Sequence, residues 1–233
     1  DIGNVTIDGS GEVTLNGNIT TAGGNIDINE ATNLGTAVAL TTAGGSVNFA
    51  STIDGAQNFD ISSGAGAVTI TGTIGGDVAL ATLDINDSSG AGTISLKDIG
   101  DTNTQGVTGT SNIGNDTTVT LDLGGTTYKT DVVTYTTKAG ENIDLTGGAD
   151  TTFTTSNDGI TFGTGTIEMA DGSNLIVDTG TSGGAIDLTA GVMGTSSENI
   201  TLTAGTGTVA IGAVGTGTAV SYTHLTLPTI LPV

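Results

Sequence analysis

Along most of the chain, apolar and polar residues alternate in short bursts of three to five positions, and Gly punctuates the bursts. One pattern recurs: Gly, any residue, Ile or Val, any residue, then Ile, Leu or Phe. It is seen at Gly3-Asn4-Val5-Thr6-Ile7, Gly11-Glu12-Val13-Thr14-Leu15 and Gly24-Asn25-Ile26-Asp27-Ile28. It returns at Gly45, Gly66, Gly92, Gly184 and Gly207; the starts at 24, 45 and 66 are 21 residues apart, and 184 to 207 is 23. Triplets without the leading Gly, such as Val38-Ala39-Leu40 and Phe59-Asp60-Ile61, fill the intervals. Alternation with period two is the mark of a half-buried strand. Strands this short cannot bury an apolar face alone, so each repeat must stack on copies of itself. Gly pairs such as Gly23-Gly24, Gly44-Gly45, Gly75-Gly76 and Gly183-Gly184 are expected to supply positive φ at the corners. No window carries sustained helical spacing, and Thr, Gly and Asn are poor helix formers.

The pattern predicts an all-β chain folded as a parallel β-solenoid, with rungs of about 21 residues and two to three strands per rung. About ten rungs stacked ~4.8 Å apart make a rod of ~50 Å. A β-sandwich also shows short, regularly spaced strands. It requires no 21-residue period, however, and usually carries more aromatic core than the 3% present.

Residues 1–97 and 160–220 read as solenoid rungs. The stretch 98–159 is less regular and reads either as degenerate rungs or as a hairpin insertion around Gly124-Gly125. Lys97, Lys129 and Lys138 lie at its edge or inside it, with Tyr128 and Tyr135. Insertions in repeat proteins often mark a binding face. Residues 221–233 break the pattern, holding both Pro and the only His, His224, and no Gly. This segment resembles translated sequencing-adapter read-through and reads as a non-native tail, the alternative being a genuine linker or cap. Both ends look cut, so a longer parent protein is expected.

Composition narrows the function classes. Gly (40) and Thr (48) together make 38% of the 233 residues; Cys, Trp and Arg are absent. There is therefore no disulfide framework, thiol nucleophile or Cys-based metal site. Twenty-four acidic residues against three Lys give a formal charge of -21, which disfavours nucleic acid and anionic membrane surfaces. No apolar run approaches the roughly 20 residues that span a bilayer, so direct membrane insertion is not expected.

Candidate chemistry is sparse. A Ser-His-Asp triad has no base outside the suspect tail. Glycosidase-type chemistry needs paired carboxylates, but Asp27, Asp60, Asp144 and Asp187 each sit between two apolar strand residues, and so belong to a solvated face. Asp84-Ile85-Asn86-Asp87-Ser88-Ser89-Gly90 alternates oxygen ligands before a Gly but has Ser95 where a calcium loop places its bidentate Glu. Gly147-Gly148-Ala149-Asp150 only partly echoes calcium β-roll repeats. The Thr-x-Thr pairs of an ice-binding face occur at Thr69, Thr118, Thr164 and Thr206, on strands and Gly turns alike, so they fall in no single register. Sequons at Asn4, Asn18, Asn86, Asn115 and Asn199 arise by chance in a chain so rich in Thr. No catalytic, cofactor-binding or metal-ligating residue is assigned, no cofactor is expected, and the chain is read as non-enzymatic.

Leu40-Thr41-Thr42-Ala43-Gly44-Gly45-Ser46-Val47-Asn48-Phe49, the segment Ile53 to Ile61, and Ser63 to Gly76 carry a family likeness. They resemble the β-strand repeats of filamentous-haemagglutinin-like and autotransporter-like bacterial surface adhesins, over roughly residues 1–96 and 160–220. The resemblance implies a right-handed parallel β-helix stalk on the surface of a Gram-negative bacterium, secreted across the outer membrane and mediating adhesion or biofilm formation. Its implied partners are host-cell or matrix glycans or proteins, and other rungs through self-association. The family's secretion-domain signature is not found in this sequence. Alternatives are a β-helical carbohydrate-active enzyme or carbohydrate-binding passenger, and an S-layer or matrix scaffold. An absence of Cys and a strong negative charge both suit an exported rod.

Overall fold

The computed structural model describes residues 2–215 and the backbone of a strand at 221–226. Its first turn is β1 (Val5–Ile7), β2 (Val13–Leu15) and β3 (Ile19–Thr21); its second is β4 (Ile26–Ile28), β5 (Thr32–Leu34) and β6 (Val38–Thr42). β7 (Val47–Phe49), β8 (Ile53–Asp54) and β9 (Asn58–Ser62) form the third. The fourth and fifth are β10 (Val68–Ile70) with β11 (Thr82–Ile85), and β12 (Thr93–Leu96) with β13 (Ser111–Ile113). Turn six is β14 (Thr120–Leu123), β15 (Thr127–Thr130) and β16 (Val133–Tyr135). Turn seven is β17 (Asn142–Leu145), β18 (Thr151–Thr155) and β19 (Ile160–Phe162). Turn eight is β20 (Thr166–Met169), β21 (Leu175–Asp178) and β22 (Ile186–Leu188). Turn nine is β23 (Val192–Met193), β24 (Asn199–Thr203) and β25 (Val209–Ile211), followed by β26 (Ser221–Thr226). No helix occurs among the described residues, so none there is long and apolar enough to cross a membrane.

Strands pair in parallel with their counterparts on neighbouring turns. The first face is one nine-stranded sheet from β1 to β23 and the third is another from β3 to β25. The second face runs from β2 to β8 and resumes at β15; between them only the single bridges Ile53↔Ile74, Ile74↔Ile99 and Ile99↔Tyr128 carry it across turns four and five. The molecule is therefore a three-faced parallel β-solenoid. The 21-residue rung is a property of its N-terminal part, where Val5, Ile26, Val47 and Val68 are successive register partners. Later rungs are longer: 26 residues separate Val68 from Ile94, and 27 separate Ile94 from Leu121.

Most of the extra length comes from excursions at 75–81 and 100–110, which leave the rod between its second and third faces. They stack on one another through the bridge Leu80↔Val107. The rest of 98–159 follows the rung pattern. β14, β15 and β16 lie on three different faces, and β15 pairs in parallel with β18 rather than with β14. β26 extends the second face by pairing with β24, with a register shift between Ile200 and Thr201.

Period-two alternation aims one set of side chains inward. Ile26, Val47, Val68, Ile94, Leu121, Ile143, Ile167 and Val192 form one buried column inside the first face, each stacked on the same position of the next rung. Burying such a side chain is worth about 1.5–3 kcal/mol, so the column is the main source of cohesion between rungs. Rungs six and seven hold an aromatic stack. Tyr128 lies over its register partner Phe153 with ring centroids 4.9 Å apart, and Tyr135 over Phe162 at 5.3 Å.

The corners have their own chemistry. Thr21 Oγ1 donates to the carbonyl of Gly24 at 2.5 Å, Thr42 Oγ1 to that of Gly45, and Ser63 Oγ to that of Gly66 at 2.6 Å. Each hydroxyl is buried and closes the turn back to the first face. At Gly44-Gly45 the two members divide the labour. Gly44 has φ +115°, whereas Gly45 needs the absence of a Cβ, because one would fall 2.2 Å from the Gly24 carbonyl oxygen. At Gly23-Gly24 and Gly183-Gly184, too, the first member alone has positive φ and the second serves close approach; at Gly75-Gly76, Gly75 does both, with φ +65° and an added Cβ 2.0 Å from the Gly106 carbonyl oxygen.

Candidate functional site

Between its corners the rod presents the outward half of each strand to its surroundings. On the first face the outward column runs Thr6, Asp27, Asn48, Thr69, Ser95, Asp122, Asp144 and Glu168. Polar residues one rung apart bond along it: Asn48 Nδ2 donates to Asp27 Oδ1 at 2.6 Å, the Thr146 hydroxyl to Asp122, and the Asn142 amide to Glu168. Asp122, Asp144 and Glu168 are consecutive carboxylates. The Asp144 carboxyl is raised above the usual range by partial burial, then by the charges of Glu168 and Asp122. On the third face Asp60 stacks on Asp84, and Asn112 Nδ2 donates to Asp84 Oδ1 at 2.8 Å. Burial raises Asp60, as do the charges of Asp87 and Asp84, against a weaker opposing hydrogen bond from Ser62.

Asp27, Asp60, Asp144 and Asp187 all lie on outward faces, each flanked by two core residues. Asp27 and Asp144 share the first face; Asp60 and Asp187 lie on the third. The calcium-like segment is a structural corner. Ile85 is core, and Asn86 is fully buried at φ +49° with its Oδ1 accepting from Ser63 N at 2.8 Å. Asp150 Oδ1 accepts from Asn174 Nδ2 at 2.7 Å. Among the described residues no three His, Cys, Asp or Glu are placed to hold a metal ion. The Thr pairs are dispersed: Thr69 is outward on the first face, Thr118 is buried at a corner, and Thr164 donates to the Thr137 carbonyl. The side chain of His224 lies outside the described residues.

Three features were not singled out in the sequence. One is the excursion 100–110, whose Gln105 borders a recess of about 210 Å³ lined also by Lys129, Thr130, Thr154, Thr155 and Ser156. Lys129 Nζ there donates to the Thr102 carbonyl at 2.7 Å. A second is Glu198, buried at a corner of turn nine. Its carboxylate accepts from Ser196 N, Ser196 Oγ, Thr195 Oγ1 and, one rung back, Gly172 N. Burial alone would raise this carboxyl, but the donated hydrogen bonds prevail and hold it at about 2. The third is the pair Asp131 and Asp158, hydrogen-bonded to each other at the corner between the second and third faces. The signal for Glu198 is nearly invisible in sequence, since one Glu in a Ser-rich turn has no period. The Thr-Ala-Gly-Gly corners repeat 21 residues apart and are legible.

No protein-family model, curated protein or solved structure matches this chain.

Proposed function

We propose that this chain is a non-catalytic stalk segment of a large secreted bacterial surface protein that mediates adhesion or biofilm formation. The observation that carries this reading is the continuity of the two nine-stranded faces. Nine rungs at ~4.8 Å give a rod of roughly 40 Å, held by backbone ladders and an aliphatic core. Outward Asn48, Asp122, Glu168 and Asn112 are spent on bonds to neighbouring rungs. The dense negative charge keeps such a rod soluble and discourages edge pairing.

A second reading, a ligand-binding passenger, is favoured by the excursions 75–81 and 100–110 and the recess beside Lys129. One experiment separates the two. The chain is displayed on a bacterial surface between an anchor and a known binding head. A stalk gives adhesion that depends on the number of rungs and survives replacement of rungs four to six by copies of rungs one to three. Adhesion without the head, abolished by that replacement, would overturn the stalk reading in favour of the passenger.

A further inference from the structure

The pairings Ser111↔Val133, Val133↔Ile160, Ile160↔Ile186 and Ile186↔Val209 fix the corner two residues earlier, where Gly109, Asp131, Asp158, Gly184 and Gly207 succeed one another. Two carboxylates thus face each other one rung apart, between positions that bear no side chain. The corner is rigid on both sides: Val133 N donates to Gly159 O at 3.2 Å, and Thr155 Oγ1 donates to the Asp158 carbonyl. A Cβ on Gly184 would stand 2.1 Å from that same carbonyl oxygen, so the backbone has no room to part the two side chains. Nor do the described residues supply a cation. Lys129, two residues before Asp131, is turned to Thr102 O, and Asp158 is the ionisable group that acts on Asp131.

Two carboxylates held together without a cation either share a proton or repel. We propose that Asp131 and Asp158 form a proton-operated latch across rungs six and seven, closed while they share one proton and loosened when that proton leaves. The hydrogen bond with Asp158 is the largest influence on the Asp131 carboxyl. With burial and the Asp158 charge it pushes that carboxyl up to about 6. Protonation therefore favours the closed corner. The stabilisation is complete below the ordinary carboxylate pKa of about 4 and is lost as the pH rises to about 6. The strands on either side of this corner, β15 and β16 below and β18 and β19 above, carry the stacked rings of Tyr128, Tyr135, Phe153 and Phe162. Loosening the corner gives water a path to that stack.

The test uses the full chain carrying Tyr222→Phe, so that Tyr128 and Tyr135 are the only tyrosines. Carboxyl-detected NMR from pH 3 to 8 follows the Asp titrations, and amide exchange follows protection at Val133. One Asp131/Asp158 carboxyl is expected to titrate near pH 6. Protection at Val133 should fall by about tenfold above that point, the equivalent of one pKa unit, with a parallel change in tyrosine near-UV circular dichroism. Asp131→Asn should abolish both changes and keep the corner protected at pH 8. Asp158→Asn serves the same purpose should the first variant not fold. Ordinary titration of both carboxyls near pH 4, or a Val133 protection step unaltered by Asp131→Asn, would overturn the latch.

Discussion

Gly45 sits directly over Gly24, so close that a β-carbon added to it would lie 2.2 Å from the Gly24 carbonyl oxygen. Gly66 stands in the same relation to Gly45, and Gly92 to Gly66, at 2.1 and 1.9 Å. The leading Gly of the sequence repeat is a spacing requirement: each rung settles onto the carbonyl of the one beneath. Gly45→Ala is expected to cost about 3 kcal/mol by forcing two rungs apart. Gly11→Ala, in the same sequence pattern but with nothing within 4 Å of its added carbon, is expected to stay within about 0.5 kcal/mol of the parent. Urea unfolding of the two variants side by side checks the contrast; equal effects would remove the close-approach account.

Tyr128 and Tyr135 face each other edge-on in the core with ring centroids 6.5 Å apart, yet their hydroxyls differ. Tyr128 Oη accepts from Gly125 N at 2.9 Å, whereas Tyr135 Oη is buried with no partner among the described residues. Burial pushes both phenols above their usual range. Tyr128→Phe leaves the Gly125 N–H unpaired and is expected to destabilise by about 1–2 kcal/mol. Tyr135→Phe removes an unsatisfied oxygen and is expected to stabilise by about 1 kcal/mol. Thermal unfolding followed by far-UV circular dichroism resolves shifts of opposite sign.

What the sequence made legible here follows from period. Ile26, Val47 and Val68 repeat every 21 residues, and the solenoid follows from that interval together with two-residue alternation. Gly184 and Gly207 obey the same pattern, yet they lead into β22 and β25 on the third face, while Gly24 and Gly45 lead into the first. A motif of five residues describes a strand and its corner without saying which of three corners it is. Asp131 and Asp158 were beyond reach for a related reason. Their juxtaposition depends on how many residues the intervening rung spends on its loops, and those lengths drift after Ile74. The outward Asp residues were recognisable as a face, but which of them share a column was not.

Glu198 contributes to the acid limb of stability. Because its folded carboxyl is held at about 2, below the unfolded value of about 4.3, it contributes stability that is present above pH 4.3 and lost as the pH falls toward 2. Glu198→Gln is expected to flatten the stability profile across that window. At pH 7 it should lower Tm by roughly 3 °C, the response to about 1 kcal/mol in a chain of this size. Melting curves from pH 2 to 7 on both proteins test it; parallel curves would show that the carboxylate is not engaged as described.

Register makes the rod divisible, but only in whole rungs. Val5 pairs with Ile26 and Ile26 with Val47, so excising residues 26–46 joins Asn25 to Val47 and lets Val5 take Val47 as its partner. The inward column stays apolar, Thr21 still closes its corner on Gly24, and Gly24 comes to lie under Gly66. A protein shortened in this way is expected to fold, to keep its β-sheet circular dichroism per residue, and to lose ~4.8 Å of length by small-angle scattering. Excising 26–45 instead, one residue fewer, displaces the following strands by one position against β1, β2 and β3 and turns the core residues facing them outward. That variant is expected to lose several degrees in Tm or to aggregate. Equal stability of the two deletions would mean that side-chain register does not hold the rungs together, and the stacking account of the whole rod would fail with it.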